Sequence, residues 1–146
     1  MERSWADVFF HFVWATKGRV PLLDPELERA VYRCIQEEAQ RLGCIVLAVG
    51  GTEDHVHLAV KAPTTVSPAK LMQLVKGVSS HMIRSTRPEW DGFDWQDNYA
   101  VFSLSRSHLD RVIEYVLHQK DHHAEGRIWD QWERTSETVM DSAPRP

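Results

Sequence analysis

His55 and His57 flank a single valine in the run Asp54-His55-Val56-His57, where residue type and spacing first suggest chemistry. Side chains alternate across a strand, so both imidazoles project from one face and can converge on a single ion. Two histidines resting on a half-buried sheet face show the same pattern, and the triplet alone does not separate the readings. Tyr115 and Gln119 form a second pair, four residues apart and therefore on one face of a helix. They lie at the edge of the stripe made by Val112 and Val116, with His122 close behind. A packing tyrosine followed by a solvated glutamine fits that spacing equally. His122-His123 invites a zinc site with His55 and His57, but no cysteine or suitably spaced carboxylate supports it. Adjacent helical residues also diverge by about 100°, so at most one of the two approaches the site. No Gly-rich phosphate loop, G-x-S-x-G elbow or H-E-x-x-H run occurs.

The elements that must position these residues follow from apolar periodicity. Residues 7–16, DVFFHFVWAT, predict a strand, and the Lys17-Gly18-Arg19 turn ends it. Apolar residues recur at helical spacing over 26–42, with Gly43 just beyond. Residues 44–49 and 55–61 read as short strands that can pair as a hairpin across Gly50-Gly51. Ser67-Pro68 starts a helix with Leu71, Leu74, Val75, Val78 and Met82 inward and Lys70, Lys76 and Arg84 outward. A loop over 85–98 leads to a strand over 99–104. Ser107 then caps a last helix, apolar at Leu109, Val112, Ile113 and Val116 and ending at Gly126. The first six elements give an α+β, ferredoxin-like β-α-β-β-α-β order: an antiparallel sheet, helices on one face, and a C-terminal helix carrying Tyr115. Residues 1–134 read as a single domain and 135–146 as a loose polar tail.

Composition bounds the function. A chain of 146 residues, 42% hydrophobic and 26% charged, suits one globular domain. No apolar run is long enough to span a bilayer, and residues 1–10 lack the features of a signal peptide. Cys34 and Cys44 form no C-x-x-C pair and read as reduced core residues, which fits the cytoplasm. The net charge of -4 argues against a nucleic-acid partner, but its distribution argues for one. Residues 55–88 carry Lys61, Lys70, Lys76, Arg84 and Arg87 and no acid, a basic third within an acidic chain.

Taken together, these segments resemble the small single-tyrosine transposases of the HUH superfamily, the insertion-sequence-200-like kind. The resemblance rests on FHFVWATKGRVPLL, DHVHLAV, LVKGVSS, WQDNYAVFSLS and VIEYVLHQKDHH, in the expected order over roughly residues 7–125. It implies a ferredoxin-like fold and a homodimer that cuts and rejoins single-stranded DNA at insertion-sequence ends recognised through hairpins. Carried over residue by residue, Tyr115 matches the nucleophile, His55 and His57 two metal ligands, and Gln119 the third. Asp54 matches the acid that precedes the histidines and, with His122, is assigned no more than a supporting place beside the ligands. The resemblance also implies that the histidines and the tyrosine of one site come from different subunits. The stretch after His123 departs from the family pattern.

The chemistry so implied is consistent with the residue types. A mixed set of two imidazoles and an amide oxygen suits Mg²⁺ or Mn²⁺. A phenol with an unperturbed pKa of about 10 needs help in losing its proton. Lys70, Lys76 and Arg84 are the candidates for guiding the strand, set against the ordinary reading of a solvated helix face. Two other functions compete: a domesticated relative acting on chromosomal repeat hairpins without transposition, and a ferredoxin-like ligand-binding or regulatory module with structural histidines.

Overall fold

In a computed structural model, the described residues are 5–124. Four strands, β1 (Phe9–Ala15), β2 (Ile45–Gly51), β3 (His55–Lys61) and β4 (Ala100–Leu104), form one sheet in the order β2-β3-β1-β4. All neighbouring pairs are antiparallel. Helices α1 (Pro25–Arg41) and α2 (Pro68–Thr86) connect them in the expected ferredoxin-like order.

The central strands β1 and β3 are buried on both faces, so each divides its side chains between two environments. Phe12 and Trp14, with Val56, Leu58 and Val60, point toward α1 and α2 and build the main core with Leu27, Val31, Ile35, Leu71 and Val75. Asp24 caps α1 by accepting from the Leu27 N–H at 2.9 Å, and Ser67 caps α2 by accepting from Lys70. The opposite face receives α3 (Leu109–Leu117), whose Val112 and Val116 pack on Ala48 and Ala59 of the sheet. An extra residue in β2 between Val46 and Ala48 makes a bulge that turns Ala48 toward this second face.

Three expectations change in detail. The inward stripe of α2 is Leu71, Met72, Val75, Ser79, Ser80 and Ile83, while Leu74, Val78 and Met82 are only partly buried. Two serines occupy the inner face because Ser79 is bonded there: its hydroxyl donates to Val75 O at 2.7 Å and accepts the Trp95 indole at 3.0 Å. Ser107 does not cap the last helix. It lies in a 3-10 turn over Arg106–His108, and its hydroxyl meets Ser105 and His108. Nor is that helix continuous. His118 leaves helical geometry at φ -111, ψ 34, and its Nδ1 and backbone N–H both meet Glu114 O, separating α3 from α4 (Gln119–Ala124). Gly126, the 135–146 tail and the side chain of His122 lie outside the described residues.

Candidate active site

The histidine face of the sheet is built from position parity. His57 pairs with Val13 of β1 on one side and Gly50 of β2 on the other, and His55 pairs with Ala15. These neighbours are small or branched, so the two imidazoles stand side by side with ring centres 5.1 Å apart. Gly50 has a separate consequence. A Cβ there would lie 2.0 Å from the Val116 carbonyl oxygen, so only glycine lets α3 approach this closely. That approach brings Tyr115 edge-on over His57, with ring centres 5.7 Å apart and planes at 80°.

Gln119, the first residue of α4, turns back toward the same point. Its Nε2 donates to Tyr115 O at 2.8 Å, which orients Oε1 toward His55 Nε2 at 3.4 Å. His55 is fixed from behind: Nδ1 lies 2.8 Å from both Asp54 Oδ1 and Thr52 Oγ1. Burial works against the charged form of Asp54. Its contacts with His55, Arg19 and Thr52 outweigh that, holding the carboxyl below its ordinary range. An ionised Asp54 accepts, so it selects the His55 tautomer with hydrogen on Nδ1 and leaves a lone pair on Nε2. That lone pair faces the Gln119 amide oxygen at a distance long for a hydrogen bond. Two acceptors directed at one another suit a divalent cation, and the imidazole and amide donor set fits Mn²⁺ or Mg²⁺. Among the described residues no three His, Cys, Asp or Glu side chains are grouped to hold an ion. A third protein ligand beside the two histidines would have to come from another residue type, and the Gln119 amide oxygen is the one that faces His55.

The structure thus brings His55, His57, Tyr115, Gln119 and Asp54 together, all within one chain. Their burial is high: Tyr115 and Gln119 are each 1% exposed, His55 2% and His57 0%. With α3 in this position the Tyr115 side chain is closed off from solvent.

Sequence reasoning missed one member of this cluster. His11 on β1 faces the same side, fully buried, with Nε2 2.8 Å from His57 Nδ1. A lone histidine in an aromatic strand carries no local pattern. Strand alternation together with the β1–β3 pairing is the signal that could have found it.

The basic residues of α2 are used differently from one another. Lys70 is exposed. Lys76 is half-buried, and its ammonium donates to the carbonyls of Gln96, Asp97 and Asn98. Burial lowers its pKa, while Asp94 and Asp97 act in the opposite sense. Arg84 donates to Phe93 O at 3.0 Å. Two of the three cations thus hold the 93–98 loop in place. The nearby cavity of about 380 Å³ is lined by Asp94 and Asp97 beside Lys76, a mixed wall poorly suited to phosphate. A different basic group lies beside the acid that holds His55: Arg19, at φ 57 in a 3-10 turn, has Nε 3.8 Å from Asp54 Oδ2.

Comparison with known proteins places the chain in a family and a fold. The sequence profile of the family described as "Transposase IS200 like" matches residues 4–119. No curated protein matches the chain. A solved structure from Deinococcus radiodurans R1, described as that of a transposase, is similar with a TM-score of 0.64 and 23% identity. That match covers 87% of this chain and 96% of the other. A REP-associated tyrosine transposase bound to a REP hairpin is similar with a TM-score of 0.63 and 11% identity, covering 88% and 74% respectively. Both share the α+β fold, and the profile spans every strand and the Tyr115 helix. This chain belongs to the IS200-like transposase family.

Proposed function

We propose that the protein cuts and rejoins single-stranded DNA at insertion-sequence ends, with Tyr115 as nucleophile and a 5′-phosphotyrosine intermediate. The observation that carries this reading is the meeting of Tyr115, His55, His57 and Gln119 on one sheet face, in a chain of a transposase family. His55 Nε2, His57 and Gln119 Oε1 would hold Mg²⁺ or Mn²⁺. Bound there, the ion would neutralise a phosphate oxygen and stabilise charge developing in the transition state.

The chain's own residues supply the rest. Asp54 and Thr52 hold His55 in one orientation, and the Gln119 bond to Tyr115 O ties the third ligand to the nucleophile's own helix. The Tyr115 oxygen would attack phosphorus as the bond to the 3′-oxygen breaks. Its proton passes to a base or water, and the leaving 3′-oxygen takes one up. Reversal by a 3′-hydroxyl restores the phenol and a phosphodiester, so no nucleotide cofactor is consumed.

The partner proposed is single-stranded DNA carrying a hairpin, in the cytoplasm, with the protein acting as a homodimer. The similar protein bound to a REP hairpin supports a hairpin substrate. None of the described helices is long and apolar enough to cross a membrane. For a site shared between subunits, α3 must leave its own sheet and dock on its partner's, turning about the 3-10 segment Arg106–His108 that joins it to β4. Mixing Tyr115→Phe with His57→Ala protein tests this: a shared site regains cleavage in the mixed dimer, and a within-chain site does not.

The direct test of the function is labelled single-stranded flanking DNA incubated with protein and Mg²⁺. A covalent adduct is expected, absent from His55→Ala and His57→Ala proteins that keep their fold. Undiminished cleavage by both variants would rule out the metal role.

A further inference from the structure

We infer that His11 is the positioning residue of His57, setting both the ring orientation and the tautomer that leave Nε2 able to bind a metal. The inference rests on the proposed ligand role of His57 and adds a residue that role requires.

β1 lies between β3 and β4, and His11 projects from it onto the same face as the two site histidines. Directly opposite on β3 is Ala59, which leaves space for the His11 ring to lean toward His57. On the other side is Phe102 of β4, with ring centres 5.9 Å apart. The two imidazoles are stacked at 5.0 Å with planes 28° apart, and neither is exposed. Their 2.8 Å contact joins His11 Nε2 to His57 Nδ1.

One nitrogen of that contact must donate and the other accept. If His11 donates, neutral His57 carries its hydrogen on Nε2 and has no lone pair left for a cation. If His57 donates from Nδ1, its Nε2 keeps a lone pair. Only the second assignment is compatible with a ligand, and it requires His11 to be the acceptor. Rotating the His57 ring to present its other edge would place carbon where nitrogen now meets His11, leaving a buried polar group without its bond. His11 therefore does for His57 what Asp54 does for His55, with an imidazole in place of a carboxylate. Outer partners of this kind typically change metal affinity by about 10–100-fold when removed.

The test uses the full chain, metal-free, with histidine ¹⁵N resonances assigned, followed by Mn²⁺ titration read by electron paramagnetic resonance. Wild-type His57 is expected to show hydrogen on Nδ1. His11→Phe fills the space without an acceptor; it should shift His57 toward the Nε2–H tautomer and weaken Mn²⁺ binding by about 10–100-fold. His11→Gln restores an acceptor oxygen and should return both readouts most of the way. Wild-type His57 carrying its hydrogen on Nε2 would overturn the inference without recourse to any variant. So would a folded His11→Phe protein that keeps the Nδ1–H tautomer. A wild-type protein with the expected tautomer, disturbed by His11→Phe, but with no Mn²⁺ binding, would leave His11 as the positioning residue and remove the metal role itself.

Discussion

The two faces of the sheet are unlike. Against α1 and α2 the sheet buries Phe12, Trp14, Val56, Leu58 and Val60 in a continuous apolar core. Against α3 it presents Ala48 and Ala59 to Val112 and Val116, and beside them the buried histidines His11, His55 and His57, which Gln119 of α4 covers together with Tyr115. One face has the large apolar area that stabilises a fold. The other has small side chains and hydrogen-bonded rings, so it holds its helix with less burial and keeps a cluster of donors and acceptors dry. The helix on the thin face is the one that carries Tyr115. Separating the two faces allows α3 to move without unfolding the sheet that aligns the histidines.

Substitutions should therefore divide by face. The largest stability loss is expected on the thick one: Ile35→Ala, at a fully buried site, should cost about 2–5 kcal/mol in urea unfolding. The rate of adduct formation per folded molecule should stay unchanged. A stability-neutral Ile35→Ala would break the contrast at its base.

Gly50→Ala should have the opposite signature. Its methyl meets the Val116 carbonyl, so α3 must shift, at a cost of about 1–3 kcal/mol. Hydrogen exchange should accelerate for amides of α3 while those of α1 and α2 keep their protection. Equal acceleration in all three helices would mean that α3 is not a separate unit.

A smaller pair of effects sharpens the place of the basic helix. Lys76→Met releases three loop carbonyls and should cost about 1.5 kcal/mol, near the low end for bonds to a charged group. Lys70→Ala should leave stability alone and lower the salt slope of DNA binding by about one. If Lys76→Met lowers the salt slope with no change in stability, its ammonium serves DNA rather than the loop.

The smallest effect is a pH dependence remote from the site. The Asp24 carboxyl is held down to about 2 by the Arg87 hydrogen bond first, then by the Leu27 N–H it caps. A depressed carboxyl stabilises above its unfolded pKa, and that contribution is lost as pH falls through the folded value. Asp24→Ala should therefore melt below wild type at pH 7, with the gap closing between about pH 4 and pH 2. A gap that is constant across this range would place the effect in packing rather than charge.

How much of this was legible depended on the range of the interaction. The β3 strand and the caps Ser67 and Gly43 were readable because periodicity and capping are local. The His55–His57 and Tyr115–Gln119 pairs were visible for the same reason. His11 was not, because its partner is 46 residues away and meets it only through the pairing of β1 with β3. The inward stripe of α2 was misplaced because Ser79 counts as polar by type, yet is satisfied in the core by Val75 O and Trp95. Lys76 and Arg84 looked like a solvated or DNA-facing stripe because the carbonyls they hold lie in a loop without periodicity. The break at His118 escaped notice since Tyr115 and Gln119 still meet, through a side-chain bond to a backbone carbonyl.

The central claim is that the thin face presents one tyrosine for covalent attachment to DNA. The chain has three tyrosines, Tyr32, Tyr99 and Tyr115, so the attachment point can be read unambiguously. The most direct measurement is mass spectrometry of the protein–DNA adduct after proteolysis and nuclease trimming. The expected result is a nucleotide phosphate on the peptide containing Tyr115, and no adduct from Tyr115→Phe protein that folds and binds Mn²⁺ as wild type does. Attachment at Tyr32 or Tyr99, or an undiminished adduct from Tyr115→Phe, would contradict the account.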